Sequence, residues 1–225
     1  MMSDCSATAS ARSGIVHLHL VGANAGMKTV VGPLVASRYG GFSCHNTVED
    51  FQMSVPSDDW GVVLVELPEG KNAGNAERVR QTHPDFRLIM TAQRPSVDTV
   101  IQALRAGGSD FFELPATTTE LIDALTRALR QAWCDHVVRQ QSKEADRRLS
   151  ALTRRESDVL ELLITGETSK QIARQLGLSH RTVEYFRARI FAKTGVDSVA
   201  DLTRMHAAAR ARLDAQANGS LGASR

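Results

Sequence analysis

The sequence contains no apolar run that approaches the roughly 20 residues a membrane-spanning helix needs. Cysteine is scarce, and Cys5, Cys44 and Cys134 are scattered without the spacing of a metal site or a disulfide framework. The N-terminal letters MMSDCSATASARSG lack the apolar core of a signal peptide. We therefore expect a soluble, cytoplasmic protein of one or two domains, with reduced thiols, no metal or other cofactor, and no membrane partner.

Glycine and proline are both missing between Pro115 and Gly166, so this stretch predicts one long helix. Its first half has an apolar period and is expected to pack on a sheet. The segment 130–150 is highly charged and is interpreted as a linker helix. Three interpretations stay open for the apolar residues near the junction: a dimer seam, an interdomain contact or ordinary core packing. These residues are Trp133, Val137 and Val138.

Charge is divided unevenly along the chain, although the net charge is only +2. Residues 1–129 carry ten Lys or Arg against fourteen Asp or Glu, whereas residues 151–225 carry twelve against eight. Neutralisation of phosphates dominates nucleic-acid affinity. The division therefore favours an acidic regulatory part joined to a basic DNA-binding part.

Residues 170–193 read KQIARQLGLSHRTVEYFRARIFAK, two helical apolar patterns that Gly177 separates. The first pattern consists of Ile172, Ala173, Leu176 and Leu178, and the second of Val183, Phe186 and Ile190. Burying the second set turns a polar face outward, with Arg181, Glu184, Tyr185 and Ala188. The pattern predicts a helix-turn-helix whose second helix enters the major groove of DNA.

Helix starts in the last third of the chain carry side chains that are suited to capping. The pairs are Thr153 with Glu156, Thr168 with Gln171, and Ser198 with Asp201, and Ser179 opens a further helix. We expect a four-helix domain over 151–213 and a disordered tail at 214–225, where small polar residues show no apolar period.

The segment LTRRESDVLELLITGETSKQIARQLGLSHRTVEYFRARIFAKTGVDSVADL resembles the LuxR-type helix-turn-helix in the FixJ and NarL branch of response regulators. The resemblance implies phosphate contacts from Lys170 and Lys193. It also implies base-edge contacts from Glu184, Tyr185 and Ala188. The remaining DNA-binding positions are Arg181, Thr182, Arg187 and Arg189. Tyr185 differs from the smaller aliphatic residue common there, and Phe186 replaces a frequent histidine.

The same resemblance implies double-stranded promoter DNA as a partner, with RNA polymerase as a further candidate. Proteins of this type act as dimers, and the helix 198–213 resembles the family's dimer surface in the DNA-binding domain. Its apolar stripe consists of Val199, Leu202 and Met205. We expect a homodimer on two half-sites about one helical turn apart.

The front part of the chain alternates short apolar runs with helical patterns. The predicted strands are Ile15 to Leu20, Phe42 to His45, Val62 to Glu66, Phe86 to Met90 and Asp110 to Glu113. This rhythm predicts a five-stranded parallel, flavodoxin-like sheet of order 2-1-3-4-5 after a disordered start at 1–13. The predicted fold class is thus α/β followed by all-α.

Residues 14–129 resemble a receiver domain, through TAQ after the fourth strand, ALRAGGSDFF leading into the fifth, and the following Pro115. A receiver phosphorylates an aspartate after its third strand, with an acidic pair that holds magnesium and a lysine after the fifth strand. This chain has no Asp or Glu between Asp4 and Glu49 and no lysine between Lys71 and Lys143. Glu66 occupies the phosphoacceptor position, and the receiver switch remnants are Thr91, Phe111, Leu114 and Pro115.

Two interpretations of Glu66 stay open: a carboxylate that imitates the phosphorylated state, or a vestigial polar residue. A second alternative concerns VGANAGMKT, whose Gly22, Gly26, Lys28 and Thr29 are similar to a phosphate-binding P-loop with one glycine a position early. The other interpretation of this segment is a loop above an empty receiver pocket.

The combined prediction is a transcriptional regulator, not an enzyme, with a pseudo-receiver that acts independently of phosphorylation. A cognate histidine kinase is then unnecessary or vestigial. Two alternatives remain. One is an adaptor whose pseudo-receiver binds a partner protein or small ligand, and the other is a kinase-driven regulator that uses a different acceptor.

Overall fold

The computed structural model describes residues 16–22, 27–28, 31, 41–67, 74–114 and 118–222. The chain divides into two compact units, Met1–His136 and Val137–Arg225. Several predictions concern residues outside the described ranges: the disordered start at 1–13, the end of the chain at 223–225, and the roles of Gly26, Thr29 and Pro115.

The first unit contains a parallel five-stranded sheet whose order is β2-β1-β3-β4-β5. Its strands are β1 His17–Val21, β2 Gly41–His45, β3 Gly61–Glu66, β4 Phe86–Gln93 and β5 Asp110–Leu114. The predicted strand order and fold class are confirmed. Strand β4 continues three residues beyond the predicted Met90, because Thr91 and Ala92 are still buried against neighbouring strands.

Helices cover both faces of this sheet. They are α1 Val48–Ser54, α2 Gly74–Thr82, α3 Val97–Arg105 and the first part of α4 Thr118–Ser150. Alternate strand residues face opposite sides. Leu18 and Leu20 therefore pack with Leu125 and Leu129 of α4, while Val21 packs with the residues of α1 to α3. This two-sided burial explains the nearly continuous apolar strands.

The second unit is a small all-α domain. After the end of α4 it contains α5 Arg154–Ile164, α6 Ser169–Leu176, α7 His180–Thr194 and α8 Val199–Gly222. Its core includes the fully buried Val159, Ile172, Val183, Ile190 and Leu202. Val183 and Ile190 are seven positions apart, about two helical turns, which places both on the same face of α7.

The predicted caps form. Capping boxes open α5 at Thr153 and α6 at Thr168. Ser179 accepts a bond from the Thr182 amide at the start of α7, and Ser198 accepts one from the Asp201 amide at the start of α8. Each cap satisfies an amide that the first turn of a helix leaves without a helical partner.

Two boundaries differ from the sequence-based expectation. The division between the units falls after His136 rather than after residue 129. The reason is that Ala132 is buried in the first core and His136 stacks on Trp60 at 3.8 Å between ring centroids. Helix α8 continues to Gly222, so the tail predicted as disordered from 214 begins as helix.

Candidate nucleic-acid interface and receiver pocket

Helix α7 presents the predicted polar face to solvent. Val183 and Ile190 are fully buried, whereas Arg181, Glu184, Tyr185 and Ala188 are exposed. The sequence therefore placed the two faces of this helix correctly. An exposed face of this kind, on the second helix of a helix-turn-helix, has the geometry that enters a major groove.

The turn before α7 is fixed by backbone and cap. Gly177 ends α6 at φ 65°, a left-handed conformation that costs glycine little. Ser179 then accepts the Thr182 amide at 3.0 Å, and the Ser179 and Thr182 hydroxyls lie 2.7 Å apart. Thr182 is half-buried. Because its hydroxyl contacts that of Ser179, it takes part in the cap where α7 begins.

A buried carboxylate lies behind α7. Glu156 of α5 is only 1% exposed, and its oxygens accept from Lys193 Nζ at 2.6 Å and from Arg189 Nε at 3.0 Å. The Thr153 amide also donates to it at 2.7 Å. Burial raises the pKa of Glu156, but the hydrogen bonds from Lys193 and Thr153 outweigh this and lower it to about 2. Glu156 is therefore charged at any physiological pH.

This arrangement binds two of the predicted DNA-contacting cations within the domain. The Lys193 ammonium donates to the Ala151 carbonyl oxygen at 3.1 Å in addition to Glu156. Arg189 donates to the Tyr185 hydroxyl at 2.9 Å, with its guanidinium carbon 5.7 Å from the centroid of the Tyr185 ring. Both side chains are thus held in place in the absence of DNA.

The other predicted residues are distributed around the same surface. Arg187 donates to the Ser169 hydroxyl at 2.8 Å, which ties α7 to the first residue of α6. Lys170 follows Ser169 and is exposed. Glu184 lies 3.9 Å from Arg187 and 4.0 Å from the ring of His180. His180 therefore lies at the helix start beside a carboxylate.

The predicted dimer stripe on α8 is only partly available. Leu202 is fully buried in the core of its own domain, while Val199 and Met205 are half-buried. The homodimer through this helix stays a prediction.

At the carboxyl edge of the sheet, Glu66 ends β3 and is the register partner of Thr91, two residues before the end of β4. Glu66 is half-buried and Thr91 is fully buried. The Thr91 hydroxyl has no hydrogen-bond partner within the described part of the chain. The structure therefore places side by side Glu66 and Thr91, the two residues predicted from the sequence as the phosphoacceptor position and a receiver switch remnant.

The neighbouring positions at this edge provide little charge. Val21 and Gly22 follow at the end of β1, and Leu114 ends β5 as a half-buried residue. Phe111 packs against the core beneath α1 to α3. Within the described ranges, His, Cys, Asp and Glu form no group of three that suits a metal ion.

A histidine cluster inside the first unit was not predicted from the sequence. His19 is 4% exposed, and its Nδ1 lies 3.0 Å from Nε2 of His45. The ring centroid of His17 lies 4.9 Å from that of His19, and His83 Nε2 donates to the Val55 carbonyl oxygen at 2.9 Å. Burial, followed by the charges of these other histidines, lowers the pKa of His19 to about 3. The alternation HLHL on a buried strand was the available signal.

Comparison with known proteins agrees with this geometry. Residues 150–206 match the family of bacterial regulatory proteins described as the luxR family. The transcriptional regulatory protein DctR of Rhodobacter capsulatus, named for C4-dicarboxylate transport, is 30% identical over 84% of this chain and 98% of its own length. FixJ of Bradyrhizobium diazoefficiens is 26% identical over 84% and 93%.

Solved structures show the same fold. The response regulator StyR has a TM-score of 0.73 at 21% identity and covers 85% of this chain and 98% of its own. Full-length FixJ from B. japonicum has a TM-score of 0.50 at 25% identity, with 86% and 97% covered.

The sheet, the capped helices and the exposed face of α7 define a response regulator with a DNA-binding helix-turn-helix domain, a class of transcriptional regulators. The chain belongs to the FixJ/NarL family of response regulators, with a LuxR-type C-terminal domain. Within the described residues, the structure contains no helix both long enough and apolar enough to cross a bilayer.

Proposed function

We propose that this transcriptional regulator has a pseudo-receiver that acts independently of phosphorylation. The residue set at the carboxyl edge of the sheet carries the proposal: Val21 ending β1 and Gly22 after it, Glu66 ending β3, and Leu114 ending β5. None of these supplies the aspartyl acceptor or the lysine that receivers use.

The chemistry of magnesium supports the same proposal. Mg²⁺ requires oxygen ligands, commonly carboxylates. Residues 5–48 contain no Asp or Glu, so no shift of the alignment restores an acidic pair after β1. Glu66 by itself does not replace the acidic pair that binds the metal or the lysine that contacts the phosphoryl group in a receiver.

The decisive experiment is incubation with acetyl phosphate and Mg²⁺ followed by intact-mass measurement. We expect no gain of a phosphoryl group. The variant Glu66→Asp is the matched control, because it restores the acceptor and leaves the other positions unchanged. Stoichiometric phosphorylation of the unaltered protein on any aspartate would contradict the proposal and favour a kinase-driven regulator.

Glu66 itself we interpret as a vestigial polar residue rather than a phosphoryl mimic. A phosphoryl group carries nearly two charges and three acceptor oxygens, which one carboxylate does not reproduce. Glu66→Gln should leave promoter activation unchanged. A loss of activation in this nearly isosteric variant would instead support mimicry.

On the DNA side, we propose that Lys170 contacts phosphates and that the exposed face of α7 reads base edges. Glu184 accepts from cytosine amino groups in this scheme. Ala188 belongs to the same base-reading face, and Lys193 is the second phosphate-contacting position that the family pattern implies. The remaining positions contribute charge or fix the helix, and they are Arg181, Thr182, Arg187 and Arg189. The proposed assembly is a homodimer on promoter DNA, with RNA polymerase as a further partner.

An adaptor role is a second candidate, and an exposed apolar stripe on α3 favours it. Val97, Ile101 and Leu104 are 75%, 41% and 47% exposed and lie on one helix face. If the adaptor role dominates, Ile101→Asp should abolish a phenotype that the DNA-binding variant Lys170→Ala retains. If the regulator role dominates, we expect Lys170→Ala to cause the more severe loss and Ile101→Asp the milder one.

A further inference from the structure

Tyr185 and Arg189 form a chain of contacts that begins inside the domain and ends on its DNA-facing surface. Arg189 lies one helical turn after Tyr185 on α7. Its Nε is 3.0 Å from a carboxylate oxygen of Glu156, and its Nη1 is 2.9 Å from the Tyr185 hydroxyl. Glu156 is in turn held by Thr153 and Lys193. One guanidinium therefore connects a buried anion to an exposed phenol.

The direction of the last hydrogen bond follows from chemistry. A guanidinium carries donors and no acceptor. The Tyr185 oxygen must therefore accept, and its own proton stays available for another partner. The positive charge of Arg189 also disfavours the approach of a second donor to that oxygen. Tyr185 is 55% exposed, so its hydroxyl is accessible to a ligand.

We propose that Tyr185 is a specificity-determining residue that donates a hydrogen bond to a base edge in the major groove, and that Arg189 is its positioning residue rather than a phosphate contact. This inference rests on the proposed placement of α7 in the groove and names the chemistry that one side chain reads there.

The major groove makes the inference specific. Guanine presents N7 and O6, adenine N7 and thymine O4 as acceptors, whereas cytosine presents only an amino donor. A phenol restricted to donation thus tolerates three bases on the contacted strand and disfavours cytosine. This selection against cytosine is opposite to the recognition of cytosine proposed for Glu184. The two contacts therefore give different base preferences, which a single set of selected sequences distinguishes.

The test is selection of bound sequences from a randomised duplex library, with the full chain and the variant Tyr185→Phe. The unaltered protein should disfavour cytosine at one position of each half-site by about 3- to 10-fold, the range expected of one net hydrogen bond. Tyr185→Phe should remove that selection and leave the other positions unchanged. It removes only an exposed hydroxyl, so the fold is preserved.

The variant Arg189→Met distinguishes positioning from phosphate contact. It keeps an unbranched apolar stem and removes every donor. We expect it to relax the same position as Tyr185→Phe, with no further change in the double variant, while the salt dependence of affinity stays the same. Lys170→Ala is the control, because loss of a true phosphate contact reduces the salt slope by about one.

Three results would overturn the inference: a retained cytosine bias in Tyr185→Phe, a reduced salt slope in Arg189→Met, or additive losses in the double variant. These differ from failure of the proposed function itself, which would show as no sequence preference in the unaltered protein at any position, and which would overturn both.

Discussion

Replacement of Glu156 by glutamine removes the charge from the second unit's buried carboxylate while nearly keeping its shape. Glutamine still serves at the third position of a capping box. The variant therefore isolates the ionic bonds to Lys193 and Arg189. Hydrogen bonds to charged groups contribute about 1.5 to 3 kcal/mol net when buried.

Those contributions have to be reduced for solvent screening, because the Lys193 side chain is 26% exposed and that of Arg189 is 47% exposed. We expect Glu156→Gln to lower the free energy of unfolding of this unit by about 2 kcal/mol in total. For a domain of this size, that corresponds to a decrease in Tm of about 8 to 16 °C.

The chain offers an internal control for this measurement. Its two tryptophans, Trp60 and Trp133, both belong to the first unit, so their fluorescence follows that unit alone. The helical signal in circular dichroism follows the unfolding of both units, including the all-α unit. The transition seen by tryptophan should be unchanged in the variant. Glu161→Gln, an exposed change on the same helix, is the matched control, and an equal effect from both variants would refute the reasoning.

Three further predictions test separate parts of the structure. His19 binds a proton near pH 6.5 in the unfolded chain but only near pH 3 in the folded protein. The free energy of unfolding is therefore highest above pH 6.5 and falls below it, by about 2 kcal/mol at pH 5. A denaturant midpoint in tryptophan fluorescence that does not change with pH would contradict this. Lys170→Ala should weaken binding to all duplexes and reduce the salt slope, whereas Glu184→Ala should relax base preference by about 1 to 3 kcal/mol; identical effects on every probe would show that the roles are wrong. Gly61→Ala should destabilise the sheet by about 1 to 3 kcal/mol, because φ is 156° and a Cβ would lie 2.3 Å from the His17 carbonyl oxygen; an unchanged urea midpoint would oppose it.

The fold was predictable because its signals are local. The order of the strands followed from alternating apolar runs, and the helix starts at Thr153 and Thr168 were visible as residues three positions apart. The outward face of α7 followed from the helical period alone. The positions of the strands and helices depend on neighbours along the chain, whereas the order of the strands followed from the arrangement that alternating strands and helices adopt in this fold class.

The missed features depend on residues far apart in sequence. Lys193 binds Glu156 across 37 positions, so a pattern that marks Lys193 as a surface cation gives no sign of its buried partner. His19 and His45 meet across 26 positions, because β1 and β2 are adjacent in the sheet. The end of α8 was misplaced for a different reason: the apolar period on which its prediction rested stops at Leu213, whereas the helix continues to Gly222.

The most direct test of the central claim is the affinity of the full-length protein for its selected operator, measured by fluorescence anisotropy before and after treatment with acetyl phosphate and Mg²⁺. We predict tight, sequence-dependent binding by the untreated protein and the same Kd after treatment. Binding that requires the treatment, together with a phosphoryl group on the protein, would contradict it.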